Sequence, residues 1–421
     1  MSDTSEMRPP RARSKPFEIY IATSAIAFLV SYLATYVYSF YLQKMTFDSQ
    51  FHPGSDFPGS LVDPAVHDPN KYNVGVHFFG DFWTTLLRSM EPSPYLVRPG
   101  VGGSSYPPFA QFIYEPLTWI PYPLALTIFL AGTTTLIVIP FWRALSAYEP
   151  HVRAIFIVVG VLLTYPVLFS LDRGNNIGLT VGFLLFGVLN LYEGRPQRAA
   201  IYFAIAAALK IYPVFFLLIF VSRRQWKAFG TAILTGLCIT VIPLMTYSGG
   251  FVNNLKALYD NSGYFRDAGE QIALNHSLYS WFATLKSATP TMNSIAQRLI
   301  DSYSMITLIG ITCIALLVLV QKSRVNQLLL VSAINVLFVP ITYGYTLSVY
   351  LVVALTLIWQ NSPDSDLVIV AIGIGLLLSS KGLPMGPPGS AIFNFMNPLL
   401  EVILVLYIAA RYFINRQTAD D

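Results

Sequence analysis

The chain reads as an all-α integral membrane protein, a polytopic bundle of about twelve membrane helices with two long external loops that bear interfacial helices. Three observations carry that reading. Only 11% of its 421 residues are charged and 54% are hydrophobic, with a mean hydropathy of +0.55, where a soluble domain carries roughly 25% charged residues. Apolar runs at 19–42, 154–171 and 306–320 match or approach the length that a helix needs to cross a bilayer. Lysine and arginine gather in short segments between such runs, where they set orientation.

Taken in order, Arg8, Arg11, Arg13 and Lys15 precede the first run, which lacks a small-residue cleavage pattern. Residues 1–18 are therefore expected to be a cytoplasmic tail ahead of an uncleaved signal anchor at 19–42. Further crossings are expected near 114–141, 154–171, 176–192, 228–246, 302–321, 325–341, 344–360, 366–380 and 397–415. The apolar segment 199–221 differs, because Arg195 and Arg198 flank it on one side and Arg223, Arg224 and Lys227 on the other. A single helix cannot begin and end on the same face of a membrane. This segment is expected to turn back within it as a short hairpin, broken by proline at Lys210-Ile211-Tyr212-Pro213.

With the hairpin included, residues 19–415 form one transmembrane domain, 416–421 a second tail, and both termini are cytoplasmic. Arg143, Arg153, Lys322, Arg324, Arg411 and Arg416 fall on that same side. The external segments 43–113 and 247–301 are long enough to be functional. The first holds an amphipathic stretch at 82–90 and the turn-rich runs Glu91-Pro92-Ser93-Pro94-Tyr95 and Ser105-Tyr106-Pro107-Pro108. The second holds 253–263 and 272–285, the latter amphipathic enough to lie in the interface.

Composition also narrows the partners. The formal charge of +4 comes from basic residues scattered at helix ends rather than in a stripe, which argues for membrane orientation and against nucleic acid. Cys238 and Cys313 both fall in apolar runs and are expected to pack in the core rather than form a disulfide or a thiolate site. No zinc-spaced cluster, phosphate-cradling glycine loop or Ser-His-Asp arrangement is present, so no metal or other cofactor is expected.

In so apolar a chain the chemistry must come from a few polar residues at helix ends. Asp81, in Gly80-Asp81-Phe82-Trp83, stands far in sequence from any obvious partner charge and is a candidate general base. It equally suits an N-cap, and the two roles are compatible. Arg88 follows seven residues later on the same helical face. Tyr106 precedes the proline pair that sets the angle of the next helix, and could line a pocket.

Leu171-Asp172-Arg173-Gly174-Asn175-Asn176 is a polar knot between two apolar runs. Asp172 and Arg173 are placed to neutralise each other, while Asn175 and Asn176 open a helix whose free amides suit an anion. Lys210 interrupts an otherwise apolar run and suits a lipid-linked phosphate at a broken helix, snorkelling to the surface being the plainer reading. His276 sits in Asn275-His276-Ser277, which also fits a glycosylation sequon. Tyr343, Tyr345 and Lys381 are further pocket candidates, and Glu401, inside the last run, is an acidic residue that a proton-coupled transporter could use.

Several of these stretches together resemble the family 87 glycosyltransferases of the GT-C superfamily, the polyprenyl-phosphate-mannose-dependent α-mannosyltransferases. The likeness rests on Asp81-Phe82 followed by Pro94-Tyr95, then Tyr106-Pro107-Pro108 with Glu115-Pro116-Leu117 and Pro121, then Asp172 to Asn175. It continues in Ala207-Ala208-Leu209-Lys210-Ile211-Tyr212-Pro213 ahead of Arg223-Arg224-Gln225-Trp226. Where many relatives place tryptophan and histidine near the start of a late span, this chain has Tyr343-Gly344-Tyr345.

The resemblance implies a GT-C-like bundle in the bacterial cytoplasmic membrane with its active site on the external face. It implies inverting transfer of a sugar, mannose or another hexose, from a polyprenyl-phosphate donor to a glycolipid or glycan acceptor. Asp81 would be the base. Lys210, with Arg173 and His276, would meet the phosphate charge, and Tyr106, Asn175, Asn176 and Tyr345 would line the pocket. The competing class is a lipid or sugar transporter or flippase, which also has many spans and broken helices but needs no carboxylate-bearing external loop.

Overall fold

A computed structural model describes residues 13–37, 79–96, 103–267, 275–288, 290–360, 364–379 and 392–420. Arg8, Arg11, His77, Lys381, the end of the first expected span and most of the first long loop lie outside these residues.

Among the described residues the only regular secondary structure is helical. α1 spans Lys15–Val37, α2 Gly80–Ser89, α3 Pro108–Tyr114 and α4 Tyr122–Ala144. α5 spans Pro150–Ile157, α6 Tyr165–Arg173, α7 Ile177–Tyr192, α8 Pro196–Leu209 and α9 Leu218–Ser222. α10 spans Trp226–Thr246, α11 Gly250–Asp267, α12 Leu278–Ala288, α13 Pro290–Asp301 and α14 Tyr303–Val320. α15 is Arg324–Leu337, α16 Leu351–Leu357, α17 Ser365–Leu377 and α18 Ile392–Asp420.

Proline explains many boundaries. It occupies the first turn of α3, α4, α5, α6 and α8, where its missing N–H costs no helical bond. The run expected as one crossing at 154–171 is accordingly broken: α5 continues through a π-helical stretch at Val158–Leu162, and α6 is bent from it by 71°. Thr164 is extended at the break, just ahead of Tyr165-Pro166. The crossing expected from residue 114 instead starts at Tyr122, after a 3₁₀ turn at Glu115–Trp119. The run at 344–360 is a 3₁₀ segment, Gly344–Tyr350, leading into α16.

Four described helices are long and apolar enough to cross a membrane, or five if the bent pair is one span, where the sequence predicts ten crossings. The shorter apolar helices include α7, α15 and α17. α7 and α15 are almost wholly buried, whereas only 22% of α10 and 17% of the α14 window is buried inside the bundle. Cys238 and Cys313 lie on these two peripheral helices and are exposed, not packed in the core as expected.

The hairpin expected at 199–221 is present: α8 runs to Leu209, Lys210 is extended, and a 3₁₀ turn at Tyr212–Leu217 leads back through α9. The basic connections share one end of the bundle. Arg143 and Arg195 both pair with Glu193, at 2.7 and 3.0 Å. Arg324 donates to the Leu191 carbonyl at 3.2 Å, and the backbone N–H of Ser14 to the Tyr148 hydroxyl at 2.8 Å. α7 ends there at Leu191 and Tyr192, so its first residues, with Arg173 and Asn175, stand at the opposite end.

There the large core gives way to a smaller one. Phe82, Leu86, Ala110, Tyr114, Ala125, Phe129, Leu179 and Leu209 bury together and seat α2 on α3, α4, α7 and α8. Phe82 anchors it, with its ring 5.0 Å from Phe129 and 5.6 Å from Tyr114. The two long loops also meet. Ser93 donates to the Asn254 side chain at 2.6 Å, and the Asn261 amide donates to the carbonyls of Tyr95 and Ser104, each at 3.0 Å.

Candidate active site

Helix α2 begins at Gly80, not at Asp81. Phe79 is its cap, in a left-handed conformation, and no side chain caps the helix. The Phe79 N–H donates to the Asp172 carbonyl at 2.8 Å, docking the start of α2 on the end of α6. Asp81 is thus a first-turn residue rather than the N-cap, and its carboxylate is turned to other partners.

Those partners come from the polar knot. Arg173 grips both carboxylate oxygens, Nε to Oδ2 at 2.8 Å and Nη2 to Oδ1 at 2.6 Å. The Asn175 amide donates to Oδ2 at 2.6 Å and lies 3.1 Å from the Tyr106 hydroxyl. Arg173 therefore pairs with Asp81 rather than merely neutralising its neighbour Asp172, a correction that the 92-residue separation hid from sequence reasoning. Asn175 Oδ1, one residue outside the cap of α7, also accepts the Ile177 N–H at 2.9 Å and takes up an amide expected to be open to an anion. Gly174, between them, has φ +61°, and a Cβ there would stand 2.6 Å from the Phe82 Cβ. Glycine lets the two helix ends meet this closely.

A carboxylate has about four lone-pair sites. Oδ2 of Asp81 takes two donors and Oδ1 takes one. Among the described residues Oδ1 keeps a vacant acceptor position, on a side chain that is 16% exposed. Burial, the strongest influence, pushes this carboxyl up. The charge and hydrogen bonds of Arg173, the Asn175 bond and the Lys210 charge outweigh burial and hold it below the ordinary value.

Lys210 is framed by aromatic faces. Its Nζ lies 5.1 Å from the ring centroid of Tyr345, 5.7 Å from Tyr106 and 5.9 Å from Tyr212, within cation–π range of all three. Tyr106 joins the two halves of the site, with its hydroxyl at Asn175 and its ring at Lys210. Asn176 serves from behind: it is buried, and its amide donates to the Leu209 carbonyl at 3.2 Å, pinning the residue ahead of Lys210.

Arg173 also lies 5.6 Å from the Tyr343 ring, 5.9 Å from Phe169 and 6.0 Å from Tyr345. Phe169 was not foreseen, although Tyr165, Phe169 and Arg173 recur every fourth residue, the spacing that puts them on one face of α6. His276 is buried one layer back. Its backbone N–H donates to the Thr342 carbonyl at 2.7 Å, and its ring Nδ1 lies 3.0 Å from the Asn397 amide. A Cβ on Gly344 would come within 3.0 Å of its Nε2, so the ring packs under Tyr343-Gly344-Tyr345. The sequon residue Asn275 is fully buried, donating to the Pro340 carbonyl at 2.8 Å and accepting the Thr342 N–H at 2.9 Å. The sequon reading therefore fails, because the amide nitrogen that would carry a glycan is already spent inside the fold.

The site joins a carboxylate with a vacant lone pair to an aromatic-framed ammonium, a pairing suited to taking a proton at one point while meeting negative charge at another. A family model described as glycosyltransferase family 87 matches residues 105–380. The chain belongs to glycosyltransferase family 87. A search of the curated proteins found no match. Family 87 membership makes the chain a GT-C-type glycosyltransferase, with a sugar donor and an acceptor as substrates. Within the matched stretch lie Tyr106, Arg173, Asn175, Asn176, Lys210, His276 and Tyr345. Asp81 lies ahead of it and is bonded to Arg173 and Asn175 within it.

Proposed function

We propose that this family 87 enzyme is an inverting transferase that moves a hexose, mannose foremost, from a polyprenyl-phosphate donor to a hydroxyl of a glycolipid or glycan acceptor. The observation that carries the reading is the Asp81–Asn175–Tyr106–Lys210 arrangement, with an open acceptor atom at one end and an ammonium at the other. An isoprenoid tail lies in the bilayer while its phosphate and sugar reach only the interface. A site at one end of a helical bundle suits such a donor. The basic loops gather at the opposite end, which by the positive-inside rule supports a site on the outer face of the bacterial cytoplasmic membrane with both termini inside.

In the proposed reaction the acceptor oxygen bonds to the anomeric carbon as the bond from that carbon to the phosphate oxygen breaks. The acceptor proton passes to Oδ1 of Asp81, and polyprenyl phosphate leaves with the bonding electrons. Inversion needs attack from the face opposite the phosphate, so the sugar would lie between Asp81 and Lys210. Lys210 meets the growing phosphate charge. Arg173 is committed to Asp81 and supports the phosphate only through its remaining field, while His276 supports the tyrosine wall behind.

The test is transfer in proteoliposomes from polyprenyl-phosphate mannose to a glycolipid acceptor. The expected result is a product of inverted anomeric configuration, lost in Asp81→Asn. Translocation of intact donor without transfer would favour the transporter class instead.

A further inference from the structure

The mechanism leaves one cation beside the site unused. Arg88 lies seven residues after Asp81 on α2, two turns on and on the same face, about 10 Å along the axis. It is close enough for its charge to interact with both Asp81 and Tyr106. Its Nε is shut off from solvent yet has no hydrogen-bond acceptor among the described residues, and no ion pair joins its guanidinium to a described carboxylate. Buried donors are normally satisfied, so an orphan of this kind at the rim of a site points to a ligand.

The charges of the site show which ligand. Asp81 and Arg173 cancel, being bound to each other by both carboxylate oxygens. Lys210 and Arg88 remain, two positive charges whose fields both reach Asp81. The donor is a phosphate diester carrying one negative charge, whereas the departing polyprenyl phosphate is a monoester that carries two once its second proton is lost. One cation matches the substrate, and two match the leaving group.

We propose that Arg88 is a further substrate-binding residue, which with Lys210 clamps the phosphate and holds the monoester dianion more tightly than the diester. This rests on the polyprenyl-phosphate reading above. Arg88 thereby favours the bond-breaking direction, because its contribution grows as charge moves onto the phosphate oxygen. A planar guanidinium suits that role, since it can present two N–H groups to two phosphate oxygens.

The experiment measures inhibition by unglycosylated polyprenyl phosphate in the full-length protein, comparing wild type, Arg88→Gln and Arg88→Lys between pH 5 and 8. The second ionisation of a phosphate monoester falls near pH 6. The expected result is that Arg88→Gln weakens inhibition roughly tenfold at pH 8 but much less at pH 5. Arg88→Lys should recover most of the loss, and the acceptor KM should be unchanged. A merely structural role would give a loss independent of pH and not rescued by lysine. Equal inhibition of wild type and Arg88→Gln at pH 8, or a pH-independent loss, overturns the inference alone. If wild type neither binds polyprenyl phosphate nor uses any sugar attached to it, the donor assignment falls and this inference with it.

Discussion

Asn176 ties the start of α7 to the end of α8: its side-chain amide reaches the carbonyl oxygen of Leu209 at 3.2 Å, one residue before Lys210. The residues next to Asn176 hold Asp81. One short stretch of chain therefore sets the positions of both the Asp81 carboxylate and the Lys210 ammonium.

Asn176→Ala removes the donor to a buried helix-terminal carbonyl, at a cost of about 1–3 kcal/mol. Because Lys210 loses its anchor, the donor KM should rise while the acceptor KM holds. Thermal unfolding in detergent and steady-state kinetics measure the two effects, and an unchanged donor KM would show that Lys210 is placed by other contacts.

Asp81→Asn keeps the shape of the side chain but removes its charge. Turnover should fall by about 10²–10⁴, the range that general-base assistance supplies, while the donor lipid still binds. Turnover at the wild-type rate would remove Asp81 from the mechanism.

The pH dependence follows from the sign of the Asp81 shift. Arg173, Asn175 and Lys210 outweigh burial and hold the carboxyl below its ordinary value, which is about 3.9. The stabilisation from the ionised pair is present above that value and is lost as pH falls through the lower folded-state value. The acid limb of kcat/KM should therefore lie below pH 4. In Arg173→Gln burial loses its main opponent, and the limb should move up. A wild-type limb between pH 6 and 7 would point to a different base.

Gly174→Ala would put a Cβ 2.6 Å from the Phe82 Cβ at a backbone position with φ +61°. Overpacking of this kind costs about 1–3 kcal/mol. Here it also pushes α2 away from Arg173, so Tm and turnover should fall together. Full activity with a lowered Tm would mean that α2 tolerates displacement.

The class of fold was legible in the residues because lipid imposes a rule that composition alone reveals: backbone groups must be bonded internally, so long apolar runs become helices. The broken hairpin was equally legible, since basic residues on both flanks and Pro213 leave few other paths. Span lengths were less so. Apolarity cannot say where a proline at the first turn of α6 bends a run by 71°, or that α15, buried within the bundle, stops at Leu337.

Asp81, Lys210 and the polar knot could be singled out from sequence because charge is rare in such a chain. Which charge answers which could not. Asp172 adjoins Arg173 in the chain, but the turn at Gly174 and the small core around Phe82 deliver Asp81 to that guanidinium instead. The chemistry of each side chain is local and written in the sequence. Pairing across 92 residues depends on how helices pack, and close packing at two helix ends is a property of the folded chain alone.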